Sequence, residues 1–171
     1  MKWLLIIVIG CAVVLALAAM VGWQLAQSHR ASLTRIFAAD PDLIWSNITD
    51  VEAFPSWREG VKQVQRLPDR NGLPMWVEES RSGKITFAIE RMERPRVLVS
   101  SIANRDLPFG GRWTYEIRRE GNGSRLTITE DGEIYNPLFR FMARFIFGYE
   151  GTIRAYLASL ETRLSGSGHG S

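Results

Sequence analysis

RWTYEIRREGNGSRLTITEDGEIYNPLFRFMARFIFGYEGTIRAYLASLETRL, residues 112–164, changes its hydrophobic period once, and that change decides the fold. In its first part Trp113, Tyr115 and Ile117 alternate with Arg112, Thr114, Glu116 and Arg118, the period of a half-buried strand. Gly121, Asn122 and Gly123 then predict a tight hairpin into a second strand over 125–135. Asn136 and Pro137 read as a helix start, a capping residue followed by proline at the first helical position. Beyond them apolar residues recur at 138, 141, 142, 145, 149, 153, 156, 157, 160 and 164. That stripe predicts one long helix of about seven turns, ending near Leu164.

Working back from this segment, strand-like runs cover 61–67, 74–80, 84–92 and 96–103. The turn formers between them are Asp69 to Gly72, a turn around Ser82 and Gly83, and a break at Pro95. Residues 31–38 read as an earlier strand. Asp40 offers an N-cap before Pro41, with Leu43, Ile44, Trp45 and Ile48 as the apolar face of a short helix. A second short helix starts near Val51, with Pro55 in its irregular middle before Trp57. The order is strand, two short helices, six antiparallel strands and a long helix. A meander with one apolar face must be covered, and the long helix is the element able to cover it. The expected architecture is α+β: a curved antiparallel sheet of about seven strands gripping the C-terminal helix, with a cavity between them.

Residues 3–23, WLLIIVIGCAVVLALAAMVGW, carry no charge. As a helix at 1.5 Å per residue this run is about 30 Å long, the thickness of a bilayer core. Trp3 and Trp23 stand at its ends, where indole rings prefer the interface. A cleaved secretory signal is the alternative, with small residues at Ala16, Ala18 and Ala19. The run is longer than a signal core, and Trp23 is unusual before a cleavage site, so an uncleaved single-pass anchor is expected. Lys2 and the amino terminus favour a cytoplasmic start, while Arg30 and Arg35 pull the other way. The short flank before a long apolar run has the form of a bacterial signal-anchor, which places the domain on the extracytoplasmic, periplasmic side.

The boundaries that follow are an anchor over 1–26, a linker over 27–30, a domain over 31–164 and a disordered tail over 165–171. A domain of about 135 residues can bury a real core. The net charge of +3 is mild and its arginines are scattered among acids, which argues against nucleic-acid binding. Cys11, the one cysteine, lies in the apolar run, so the domain has no disulfide, cysteine nucleophile or cysteine metal site. Both histidines, His29 and His169, are assigned outside the domain, which removes a Ser–His triad and any His-ligated metal from it. No metal and no cofactor are expected.

The arrangement resembles the START-like superfamily, also called SRPBCC or polyketide cyclase/dehydrase-like proteins, with the helix-grip fold. The resemblance covers roughly 31–164. It is carried by ADPDLIWSNITDVEAFPSW (39–57), FGGRWTY (109–115), LTITED (126–131) and YNPLFR (135–140), in that order and spacing. It implies a ligand cavity lined by the inner sheet face and the last helix, and it implies no single activity. Members include lipid carriers, hormone receptors, polyketide cyclases, oxygenase subunits and binders of quinone-like isoprenoids. The oxygenases need a 2-His-1-carboxylate iron site, from which this chain departs, and no catalytic residue carries over from the cyclases.

Among candidate site residues, Glu130 follows Leu126 and Ile128 at strand period and so shares their inward face. A carboxylate there would have a raised pKa and could act as an acid or orient a ligand; alternatively it sits at the rim, paired with Arg112 or Arg118. Glu78 and Glu79 are adjacent on one strand, so one of them faces inward. Trp57, Trp76, Trp113 and Tyr115 are candidates for the wall of a greasy pocket or for plain core. Phe141 and Phe145 belong to an apolar stretch, interrupted by Arg140 and Arg144, that either packs on the sheet or forms the cavity mouth and touches lipid. The reading is a membrane-anchored domain binding a hydrophobic small molecule or lipid. A cyclase-like enzyme using a pocket carboxylate, and an interaction module with a filled cavity, are the alternatives. The sequence is silent on oligomeric state.

Overall fold

The computed structural model describes residues 1–81 and 83–167. Helix α1 (Lys2–Gln24) is followed by strand β1 (Ser28–Phe37), helix α2 (Pro41–Thr49), a 3-10 turn (Val51–Ala53) and helix α3 (Phe54–Trp57). Strands β2 (Val61–Arg70), β3 (Leu73–Ser80), β4 (Gly83–Glu93), β5 (Val97–Ile102), β6 (Phe109–Glu120) and β7 (Gly123–Ile134) come next. Helix α4 (Pro137–Met142), a π-helical turn (Ala143–Phe147) and helix α5 (Gly151–Ser167) complete the chain.

All seven strands form one antiparallel sheet in the order β1-β7-β6-β5-β4-β3-β2. The meander β2 to β7 follows from its turns. Asn71 and Gly72 adopt φ of 55° and 76°, the left-handed geometry a two-residue hairpin needs, and Gly121 at 56° serves the β6–β7 hairpin. β1 returns to pair along all of β7, with Leu33 opposite Ile128 and Ala31 opposite Glu130. The sheet curves around α5, whose Ile153, Tyr156, Leu157 and Leu160 are buried against Leu126, Ile128 and Ile117. α2 and α3 join the same core through Ile44, Trp45, Ile48 and Phe54.

Five expectations change. The long C-terminal helix is two helices, because Gly148 takes φ 72° after the π turn and breaks the stripe between Phe147 and Gly151. The linker over 27–30 shortens to residues 25–27, since β1 already starts at Ser28. His29 is therefore a strand residue inside the domain, and the argument that removed histidine chemistry from it loses its premise. The expected tail over 165–171 is helical through Ser167, and its remainder lies outside the described residues, as does Ser82 of the expected turn. Asp40 precedes α2 without a side-chain cap and pairs instead with Arg119, whereas Asn136 caps α4 by accepting from Leu138 N at 2.9 Å and Phe139 N at 3.2 Å.

Candidate ligand cavity

Sheet and α5 enclose a cavity of about 760 Å³, within the usual range for small-molecule sites. Its walls are mostly apolar, among them Ile48, Phe54, Trp76, Phe87, Leu98 and Trp113. Part of its rim comes from Phe139, Met142, Ala143, Phe147 and Gly148, the segment spanning α4 and the π turn. Two polar clusters face into it.

The first gathers Arg58, Glu78, Tyr115 and Tyr156. Burial settles which glutamate is inward: Glu78 is 7 % exposed, while Glu79 faces out and meets Lys84 at 3.2 Å. Arg58 Nη1 donates to Glu78 Oε1 at 2.6 Å and Trp76 Nε1 donates to the same oxygen at 2.9 Å. The guanidinium lies 4.6 Å from the Phe54 ring centre and 5.0 Å from that of Tyr156. Burial alone would lower the Arg58 pKa, but the Glu78 carboxylate against it turns the balance upward and holds the charge. Burial pushes the Tyr115 phenol up to about 12 and Tyr156 well above its ordinary value, so both stay protonated donors. Ser100, also buried, meets the Tyr115 hydroxyl.

The second cluster gathers Glu130, His29, Tyr149 and Thr152. Glu130 stands on β7 between Ala31 and Trp113 of the neighbouring strands. Burial raises its pKa, against smaller opposing contacts from Thr152 Oγ1, at 3.3 Å, and Trp113. Among the described residues no arginine pairs with it in the manner of the rim alternative: Arg112 meets Glu90 at 3.2 Å and Arg118 meets Glu116 at 3.6 Å. His29 Nε2 lies 3.8 Å from Glu130 Oε1, and burial lowers the His29 pKa. The imidazole stacks on Tyr149 with centroids 4.1 Å apart and lies over Gly132, where an added Cβ would overlap the ring. Burial thus drives this acid and this base toward their neutral forms, the condition in which either can exchange a proton. Among the described residues no cluster of three or more His, Cys, Asp or Glu gathers to hold a metal ion.

Of the residues singled out in the sequence, Trp76, Glu78, Trp113, Tyr115 and Glu130 line the cavity together. Trp57, Phe141 and Phe145 do not. Trp57 packs edge-on to Phe54 and Tyr156 with centroids 5.5 Å away in each case, behind the wall. Phe141, on α4, pairs instead with Phe145, which is mostly exposed, at a centroid distance of 5.0 Å. Arg58, His29, Tyr149, Thr152 and Tyr156 were not anticipated. For His29 a signal was present: extending the β1 alternation back from Leu33 and Ala31 puts it on the inner face.

The sequence profile of the family described as polyketide cyclase/dehydrase and lipid transport matches residues 28–165. Among solved structures, a START superfamily protein from Mycobacterium smegmatis superposes with a TM-score of 0.66 at 21% identity, covering 80% of this chain and 97% of that one. A protein from Thermus thermophilus gives 0.66 at 18%, covering 81% and 99%. The Zhui aromatase/cyclase from a Streptomyces species gives 0.64 at 14%, covering 80% and 93%. At such identities the likeness is one of fold. None of the curated proteins matches the chain. With its seven-stranded curved sheet and gripped helix, the chain belongs to the polyketide cyclase/dehydrase and lipid-transport family and has the START-like helix-grip fold.

Proposed function

We propose that the chain is a membrane-anchored binder of a hydrophobic small molecule or lipid, taken into the cavity with an uncharged polar group against Arg58, Tyr115 and Tyr156. The observation that carries the reading is the compensated ion pair at a mostly apolar cavity of about 760 Å³. Apolar walls supply affinity through burial. Because Glu78 already neutralises Arg58, a hydroxyl or carbonyl is favoured over a carboxylate, which would face Glu78 unpaired. The membrane part rests on α1, which is long and apolar enough to cross a bilayer. Displacement of an environment-sensitive fluorophore by matched long-chain alcohols, ketones and acids tests this. Alcohols or ketones are expected to bind at least about tenfold tighter than the acid, about 1.4 kcal/mol; a preference for the acid would overturn the uncharged-group reading.

A second reading, favoured by the opposite pKa shifts of Glu130 and His29, is a cyclase- or dehydrase-like enzyme in which this pair moves a proton on a bound ketide-like chain. It requires turnover that Glu130→Gln abolishes; binding that survives the same change, without turnover in either protein, leaves the binder.

A further inference from the structure

Helix α1 is exposed along most of its length, but Ala18 and Ala19 are half-buried and Gly22 is buried. These small residues, three and four apart, share the face on which α4 packs. A Cβ on Gly22 would overlap the Pro137 carbonyl oxygen and lie 3.4 Å from Phe141 N, so the two backbones are in contact. Arg140, 5 % exposed, closes the joint: Nη1 donates to the Leu25 carbonyl at 2.8 Å and Nη2 to that of Tyr135 at 3.3 Å. Ile134 N donates to the Gln27 carbonyl at 2.9 Å, which ties down the short connection. The apolar helix is clamped to the domain and does not trail from it on slack chain.

A clamp at this place sets depth. A helix packed along Ala18–Gly22 lies beside the last turns of α1, at the end marked by the exposed Trp23. From α4 the chain runs straight into Phe145, Ile146 and Phe147, three consecutive apolar residues that are 59, 63 and 66 % exposed, with Phe139 at 44 %. Arg144, also exposed, adjoins them. Such a run facing water marks an interaction surface, and it follows directly on α4, which packs on the helix that reads as the bilayer span. Phe139, Met142, Ala143, Phe147 and Gly148 of this stretch also line the cavity.

We propose that residues 139–148 form a lipid-docking knuckle, inserted at the headgroup–acyl boundary of the same bilayer that α1 spans, so that the cavity rim opens on lipid. Apolar side chains at this depth gain by burial among acyl chains, and Arg144 is placed to meet phosphates. The π turn and the positive φ of Gly148 bring the chain back out to α5. The proposal rests on the reading of α1 as a membrane anchor, and its test separates the two.

Full-length chain carrying Cys11→Ser, reconstituted in phosphatidylcholine–phosphatidylglycerol vesicles, is spin-labelled at one introduced cysteine at a time: Val14→Cys, Phe145→Cys, Ile146→Cys or Ile36→Cys. Accessibility to oxygen and to a water-soluble nickel chelate is then read. The label at 14 is expected deep in the bilayer, those at 145 and 146 about 5–10 Å below the phosphates, and that at 36, on β1, in water. Labels at 145 and 146 as open to nickel as the one at 36, with 14 still in lipid, would overturn the knuckle and leave the anchor standing. A label at 14 in water would overturn the anchor and the knuckle with it.

Discussion

Where Arg58 meets Glu78, 2.6 Å apart, the guanidinium keeps its charge because a carboxylate stands against it; where Glu130 meets His29, 3.8 Å apart, burial pushes both groups toward neutrality. Both pairs face one cavity and each joins an acid to a base. Closeness and satisfaction separate them. The glutamate of the first pair accepts from Arg58 and Trp76 through one oxygen and is 7 % exposed, whereas Glu130 has Thr152 at 3.3 Å and a more distant imidazole. Short, multiply bonded pairs hold ions inside a protein; loose ones hold neutral groups that can change state.

Removing one partner of the Arg58–Glu78 pair strands a buried charge. Glu78→Ala leaves the Arg58 charge uncompensated and is expected to destabilise the chain by about 3–5 kcal/mol, read by chemical unfolding in detergent micelles. Replacing both partners, as Arg58→Met with Glu78→Leu, is expected to restore most of that loss. Equal loss in single and double variants would mean that the pair is not the unit proposed.

The second pair is sharpened by pH and carries a smaller effect. Glu130 has a raised pKa in the fold, so the native chain binds more protons than the unfolded one above the ordinary value of 4.5. Its contribution therefore declines as pH rises from 4.5 through the raised value. His29 has a lowered pKa, so stability is lost as pH falls from 6.5 through the lowered value. Glu130→Gln is expected to remove the first slope and His29→Gln the second, in unfolding measured from about pH 4 to about pH 8; parallel curves for all three proteins would show that neither group titrates differently in the fold.

Much of the fold was legible because period and turn chemistry act locally. The alternation at Trp113, Tyr115 and Ile117, the Asn71–Gly72 turn and the stripe at Ile153, Tyr156, Leu157 and Leu160 each specify their own element. The broken C-terminal helix was illegible for the same reason: apolar residues at 141, 142, 145 and 149 fit a helical period, and neither the π turn nor the positive φ of Gly148 that interrupts it disturbs that pattern. Strand period set Glu130 on the face of Leu126 and Ile128, but it left Glu78 and Glu79 undecided, because adjacent strand residues always face opposite ways. Arg58 has no such pattern, lying just past α3 at a turn completed by Gly60 at φ 87°, and tertiary packing alone aims it inward. Tyr156 was hidden in plain apolar periodicity, where a hydroxyl leaves no mark.

The central claim is that the cavity holds an apolar molecule. Ala155 of α5 lines it, and Ala155→Trp fills part of its space from the helix side. The most direct measurement is mass spectrometry of organic extracts from full-length protein and from Ala155→Trp, purified identically, with thermal unfolding confirming that both are folded. An uncharged, largely apolar compound near one per chain is expected in the parent protein, with a loss of at least about tenfold in the variant. Equal amounts in the two proteins, or none in the parent above that in a buffer control, would contradict it.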